Sequence, residues 1–276
     1  MVHPDGELAT AQGAQESNTL MIVSTLSDYP IEDIASVPML PKWFQLYHRE
    51  KKITKNLVRR AEDLGYLGIC ITIDTPIASP KERDVRNRFT PPFKGGNFND
   101  IPDNNVFEET PDWIKLDRPA FTWEDLSWIR NFTDLPLILK GIRTSEDAKI
   151  CVEYGVDAIF VSNHGGRQID STLSSIESLI EVNETVNGKA EIYLDSGIRR
   201  GSDVLKALAL GARAVAIGRP FYWGLTVNGS NGVHQVLEIL RDELIKNLAY
   251  CGQKSVMNLE SGILNIPSSW TSRVII

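Results

Sequence analysis

Short runs of apolar, largely β-branched residues recur along this 276-residue chain with amphipathic stretches between them. That alternation restricts the fold more than any other feature of the sequence. Strands are predicted at Thr19–Ser24, Trp43–Tyr47, Gly68–Asp74, Pro136–Lys140, Asp157–Ser162, Glu191–Asp195 and Ala214–Gly218. Helices are predicted at Ile31–Ser36, Ile53–Leu64, Trp123–Asn131, Ser145–Tyr154, Leu173–Thr185 and Ser202–Ala209. Thr144-Ser145-Glu146-Asp147 caps one helix start and Ser202-Asp203 opens another, while Gly155 and Gly211 stand just past helix ends, where a left-handed residue is wanted. Strands that are apolar throughout, alternating with helices, form a parallel sheet covered on both faces.

An open doubly wound sheet and a closed barrel share this pattern, and the polar residues choose between them. Nearly every strand ends in a group capable of chemistry: Ser24, Gln45 with Tyr47, Thr72 with Asp74, Lys140, Ser162 with His164, Asp195, and Gly218 with Arg219. An open sheet gathers such groups only at its switch point, whereas a barrel gathers all of them at one rim. The expectation is therefore an α/β chain of the TIM (β/α)8 type forming one domain over residues 1–276. Seven strands are read instead of eight. His3 to Ser17 reads as a loop and helix with no strand before it, so the first barrel strand is expected to be absent from this chain. Residues 75–135 form a polar insertion rich in Pro, Asn and Asp, which implies either a lid over a site or a disordered segment.

Composition excludes several classes of partner. A formal charge of −7 and a pI near 5.2 argue against nucleic acid or an anionic membrane as the main partner. No apolar run approaches the roughly 20 residues that span a bilayer, and Met1-Val2-His3-Pro4-Asp5 is too polar to open a signal peptide. Cys70, Cys151 and Cys251 show neither a disulfide framework nor metal-ligand spacing, which points to a reducing, intracellular compartment and no bound metal.

Ser162-Asn163-His164-Gly165-Gly166-Arg167 follows a buried strand. Its imidazole exchanges a proton near neutral pH, its guanidinium grips a carboxylate with two parallel hydrogen bonds, and its glycines allow a close approach of backbone. The bland alternative is a loop whose histidine caps or packs. Asp195-Ser196-Gly197-Ile198-Arg199-Arg200-Gly201 and Gly218-Arg219-Pro220 follow the last two strands, where barrels build phosphate sites from glycine N–H groups, a helix N-terminus and arginines; the alternative is a surface turn with solvated arginines. Lys140 needs an anion at the barrel mouth, from a reduced cofactor or a neighbouring carboxylate. Asp74 likewise needs a partner, for which a charged His164 is a candidate. Tyr47 either packs or donates its phenol to a substrate oxygen.

Ser162-Asn163-His164-Gly165-Gly166-Arg167-Gln168, Asp195 to Gly201 and Lys206-Ala207-Leu208-Ala209-Leu210-Gly211-Ala212 resemble the FMN-dependent α-hydroxy-acid oxidases and dehydrogenases, most of all the eukaryotic (S)-2-hydroxy-acid (glycolate-type) oxidases. His3-Pro4-Asp5-Gly6-Glu7, Phe44-Gln45-Leu46-Tyr47 and Asp84-Val85-Arg86-Asn87-Arg88-Phe89 extend the resemblance to about Leu259. It implies FMN at the C-terminal mouth of the barrel and oxidation of (S)-2-hydroxy acids, with oxygen as acceptor and hydrogen peroxide as product. It implies His164 as the base, Asp74 as its orienting carboxylate, Arg167 on the substrate carboxylate and Tyr47 on a substrate oxygen. Lys140 would face the flavin N1/O2 edge, with Ser24, Gln45, Thr72 and Ser162 beside the ring. Asp195 and Arg199 would hold the ribityl chain, and Gly197, Gly218 and Arg219 the phosphate. A homotetramer and a peroxisomal location are also implied, although Val274-Ile275-Ile276 is not a peroxisomal tripeptide.

Three departures accompany the resemblance. Relatives carry a further catalytic tyrosine before their first barrel strand, and this chain begins after both. Leu26 stands where glycolate oxidases place a tryptophan, which implies a bulkier or more aliphatic substrate. Lys81 aligns with a family arginine and is the weaker bidentate partner for a carboxylate. A barrel lacking a strand is expected to be less stable than a complete relative and to bind FMN weakly or not at all. The other readings are a truncated inactive form acting as an interaction protein, and a different FMN- or phosphate-binding barrel such as an isomerase. The His164–Arg167 pair disfavours the isomerase.

Overall fold

The structure is a computed structural model and describes residues 2–76, 82–89, 95–98 and 121–271. These residues fall into two compact units, one of residues 1–137 with 222–234 and one of residues 138–221 with 235–276.

The first unit carries α1 (Gly6–Glu16), β1 (Met21–Ser24), α2 (Ile31–Ala35), β2 (Lys42–Leu46), α3 (Lys51–Asp63), β3 (Ile69–Thr72), α4 (Glu82–Asn87) and α5 (Trp123–Arg130). β1 runs parallel to β2 with Ser24 opposite Gln45, and β2 runs parallel to β3 with Gln45 opposite Cys70. Val23, Phe44, Leu46, Ile69 and Ile71 are fully buried. The buried residues of α3 are Thr54, Leu57, Val58 and Ala61, the i, i+3, i+4, i+7 stripe that fastens a helix over a sheet.

The second unit is built on β4 (Leu137–Ile142), α6 (Ser145–Glu153), β5 (Ala158–Val161), α7 (Ser175–Val186), β6 (Glu191–Leu194), α8 (Gly201–Ala209) and β7 (Ala214–Val215). Its ladders are parallel, with Phe160 opposite Lys140 on β4 and opposite Tyr193 on β6. Thr144 caps α6 by accepting from the Asp147 N–H at 3.3 Å, and Gly155 and Gly211 take left-handed φ of +67° and +103° past the ends of α6 and α8. α8 opens at Gly201, and the carboxylate of Asp203 in its first turn accepts from the N–H groups of Arg199 and Arg200.

Strand order follows chain order from β1 to β7, the sequential parallel topology of a TIM-type barrel with seven strands among the described residues. Besides α4, which falls inside the polar insertion, three elements up to residue 250 depart from the sequence expectation. β4 does not stop at Lys140: it continues to Ile142 across a register shift at Gly141, whose φ is +111°. β7 is shorter than expected and ends at Val215. The third departure is α9 (Arg219–Tyr250), an unpredicted pair of helices joined at Asn228 and Gly229, whose backbone is non-helical. A final turn, α10 (Ser268–Thr271), follows.

Candidate active site

Chemistry in the second unit begins at the bulge in β4. One extra residue in a ladder bends the strand and re-aims its neighbours, and here the residue beside the bulge is Lys140. Its Nζ lies 2.9 Å from Ser162 Oγ and 3.2 Å from Asp195 Oδ2. With side chains only 13% and 19% exposed, Lys140 and Asp195 supply each other's counter-charge, so the partner expected for Lys140 is a neighbouring carboxylate. Ser162 sits just past the tip of β5 and is fully buried. Besides accepting from Lys140, its Oγ accepts from the His164 N–H at 3.0 Å.

From there the backbone turns left-handed three times, at His164 (φ +56°), Gly165 (+69°) and Gly166 (+71°). The glycines adopt this freely; histidine does so at some cost, and such conformations concentrate at functional sites. Side chains from two later loops hold Gly165: Ser196 Oγ accepts from its N–H at 2.9 Å, and an Arg219 Nη donates to its carbonyl at 3.0 Å. Asn163 fixes the rest of the loop, its N–H donating to Ser175 Oγ at 3.0 Å and its Oδ1 accepting from the Gly166 N–H at 3.2 Å. His164 is half-buried and Arg167 stands exposed at the loop's far end.

The loops after β6 and β7 carry the donors expected for a phosphate. A Cβ at Gly197 or Gly218 would meet nothing within 4 Å, so the backbone there is open to a ligand. Gly218 caps α9, leaving the first N–H groups of that helix without intrahelical partners. Arg199 is half-buried and Arg219 exposed. Open glycine backbone, a helix N-terminus and two guanidiniums fit the phosphate of FMN by the chemistry of the donor set.

In the first unit the strand tips are cross-linked. Gln45 Oε1 accepts from Ser24 Oγ and the Thr25 N–H, both at 3.3 Å, and Gln45 Nε2 donates to Thr72 Oγ1 at 2.8 Å. Ser24 Oγ also accepts from the Leu26 N–H at 3.0 Å, and Thr25 Oγ1 accepts from the Tyr47 N–H at 2.9 Å. The tips of β1, β2 and β3 are thus fixed relative to one another by a buried amide with polar neighbours, a donor and acceptor set suited to the edge of a flavin ring. Asp74 lies two residues past β3 and is half-buried. Lys81 lies outside the described residues.

Sequence reasoning missed three contributors. Gly141 makes the bulge beside Lys140. Ser196 joins the His164 loop to the Asp195 loop. Asn97, 1% exposed, sends its Nδ2 to the carbonyls of Ser24 and Thr25 and to Ser27 Oγ, and accepts from the Ile31 N–H. The only sequence cue to Asn97 is the preceding pair Gly95-Gly96. A Cβ on Gly96 would lie 2.6 Å from the Asp28 carbonyl, so this close approach of backbone requires glycine.

The chain is similar to known proteins over most of its length. Residues 1–266 match the family model described as FMN-dependent dehydrogenase. An L-lactate oxidase of Nostoc sp. is 43% identical over 96% of this chain and 76% of its own length. Human 2-hydroxyacid oxidase 2 is 43% identical over 96% of this chain and 75% of its own. A mandelate oxidase variant solved with a C4a-hydroxy-FMN adduct superposes with a TM-score of 0.83 at 42% identity, over 92% of this chain and 72% of that one.

Proposed function

Since the chain belongs to the FMN-dependent dehydrogenase family, we infer that it oxidises (S)-2-hydroxy acids to 2-oxo acids, with oxygen as acceptor. The overall change is RCH(OH)COO⁻ + O₂ → RC(O)COO⁻ + H₂O₂. The observation that carries this reading is the placement of an imidazole and a guanidinium on one strand-tip loop whose backbone is tied to Lys140 and Asp195.

FMN, when bound, supplies the acceptor for the two electrons that leave the substrate. His164 takes the proton released at the reacting carbon or at its hydroxyl; either route leaves the proton on the imidazole. The carboxylate of Asp74 is assigned to compensate the imidazolium. Arg167 binds the substrate carboxylate through two parallel hydrogen bonds, Tyr47 donates to a substrate oxygen, and Lys81 adds a second cation for the anionic end. Lys140 would stand as the cation beside the flavin, where it would favour the anionic reduced form. Ser24, Gln45, Thr72 and Ser162 would line the ring, Asp195 and Arg199 would hold the ribityl chain, and Gly197, Gly218 and Arg219 would hold the phosphate. Residues 1–276 act as one catalytic domain. The resemblance to glycolate-type oxidases supports a peroxisomal homotetramer. Among the described residues no helix is long and apolar enough to cross a membrane.

The test is flavin bleaching under anaerobic conditions with glycolate, (S)-lactate and (S)-mandelate. His164→Ala should retain FMN yet lose bleaching by a factor of about 10² or more, the span expected for removing a general base. Retained turnover in that variant removes His164 from the role. Leu26 is assigned to the substrate side chain, so Leu26→Trp should shift the ratio of kcat/KM towards glycolate and against (S)-mandelate; an unchanged ratio removes Leu26 from specificity.

A further inference from the structure

Ser196 is an unexpected residue for an open, anion-binding loop. Its backbone lies at φ +74°, which glycine adopts without strain and serine does not, and Gly197 beside it continues at +84°. Both hydrogen-bonding capacities of its hydroxyl are used: it donates to Asp195 Oδ1 at 2.8 Å and accepts from the Gly165 N–H at 2.9 Å. Asp195 is the partner of Lys140, and Lys140 donates to the same Ser162 oxygen that accepts from the His164 N–H. The bonds close a ring: Lys140, Ser162, the His164–Gly165 backbone, Ser196, Asp195 and back to Lys140.

We propose that Ser196 is a positioning residue that clamps the loop bearing His164 and holds the imidazole where it takes the substrate's proton. The inference rests on the reading of His164 as the base. A histidine held in the left-handed region does not persist unless its surroundings over-determine it. The N–H groups on either side of the His164 Cα are held by Ser162 and Ser196 respectively, and Arg219 holds the next carbonyl. Of these restraints only Ser196 also contacts the Asp195 carboxylate, so it couples the charge of the Lys140–Asp195 pair to the loop. A glycine at this position would suit the backbone and lose the coupling.

The experiment compares wild type, Ser196→Gly and Ser196→Ala as FMN-loaded protein. Thermal unfolding, hydrogen exchange of the Gly165 amide and the rate of flavin reduction by (S)-lactate are measured. Ser196→Gly should unfold at the same or a higher temperature than wild type while its Gly165 amide exchanges about tenfold faster, the effect of losing one hydrogen bond of ordinary strength. Its kcat for flavin reduction should fall about tenfold with KM altered far less, since the loss falls on proton transfer. A stability role alone would move stability and activity in the same direction. Unchanged exchange at Gly165 in both variants, or a raised KM at constant kcat, overturns the clamp. The exchange measurement reads the clamp independently of turnover, whereas a wild-type flavin left unbleached by every 2-hydroxy acid overturns the oxidase reading instead.

Discussion

Positive φ at Gly141, His164 and Ser196 marks the residues that aim the candidate site, and each meets the requirement differently. At Gly141 the residue is glycine and the bulge is unstrained; at His164 and Ser196 a side chain is kept in a conformation that disfavours it. Gly141→Ala would push a Cβ into a backbone at φ +111° and is expected to destabilise the chain by about 1–3 kcal/mol. Because the bulge aims Lys140, FMN affinity should fall with it. Urea unfolding and flavin titration check the two effects; a variant with wild-type midpoint and affinity would show that the bulge is incidental. Sequence could single out Lys140 because a lysine after Leu137-Ile138-Leu139 is conspicuous, but it ended the strand there, two residues before β4 ends at Ile142. It could not reveal the bulge, since Lys-Gly after an apolar run reads as a strand end.

At the scale of elements, sequence performed well where periodicity was local and poorly where glycine served packing instead of turning. Seven helices and seven strands were anticipated, most of them because each carries its own stripe or apolar run, as the buried Thr54, Leu57, Val58 and Ala61 of α3 illustrate. α9 was missed because Gly224, Asn228, Gly229, Asn231 and Gly232 imitate a loop. In the structure Gly232 packs so closely on the Gly224 carbonyl that no Cβ fits, and only the two residues at the kink leave helical geometry. Gly229 has φ +56° and ψ −138°, and a Cβ there would also press on the His3 ring at 3.1 Å. Gly229→Ala should therefore cost about 1–3 kcal/mol in urea unfolding, whereas an ordinary helical glycine would gain stability from the same change. The segment at residues 95–98 was likewise opaque. Its polar composition reads as loop, yet Asn97 satisfies three acceptors and one donor in the interior. Asn97→Ala leaves the buried Ile31 N–H unpaired and should destabilise the chain by about 2–4 kcal/mol, more than an exposed asparagine would.

For the molecule as a whole, the fold class was legible because strands and helices alternating at these lengths fold as parallel βα units. Stability against pH was not legible, because it depends on burial. His48 directly follows Tyr47 and its side chain is 5% exposed, with Nε2 3.9 Å from Asp125 Oδ2. Burial holds its pKa below the usual 6.5; the Asp125 carboxylate opposes that shift and the Lys51 ammonium adds to it. The unfolded chain therefore binds more protons than the folded one between the depressed folded value and about 6.5. Stability must rise with pH through that window and fall on acidification, the reverse of a histidine gaining an anionic partner. Net charge also shrinks from −7 as pH approaches the pI near 5.2, but that trend is common to wild type and a neutral variant. His48→Gln should accordingly unfold at a urea midpoint that changes less between pH 7 and pH 5 than the wild-type midpoint does. Parallel slopes for the two proteins would place the acid sensitivity elsewhere and remove His48 from the account.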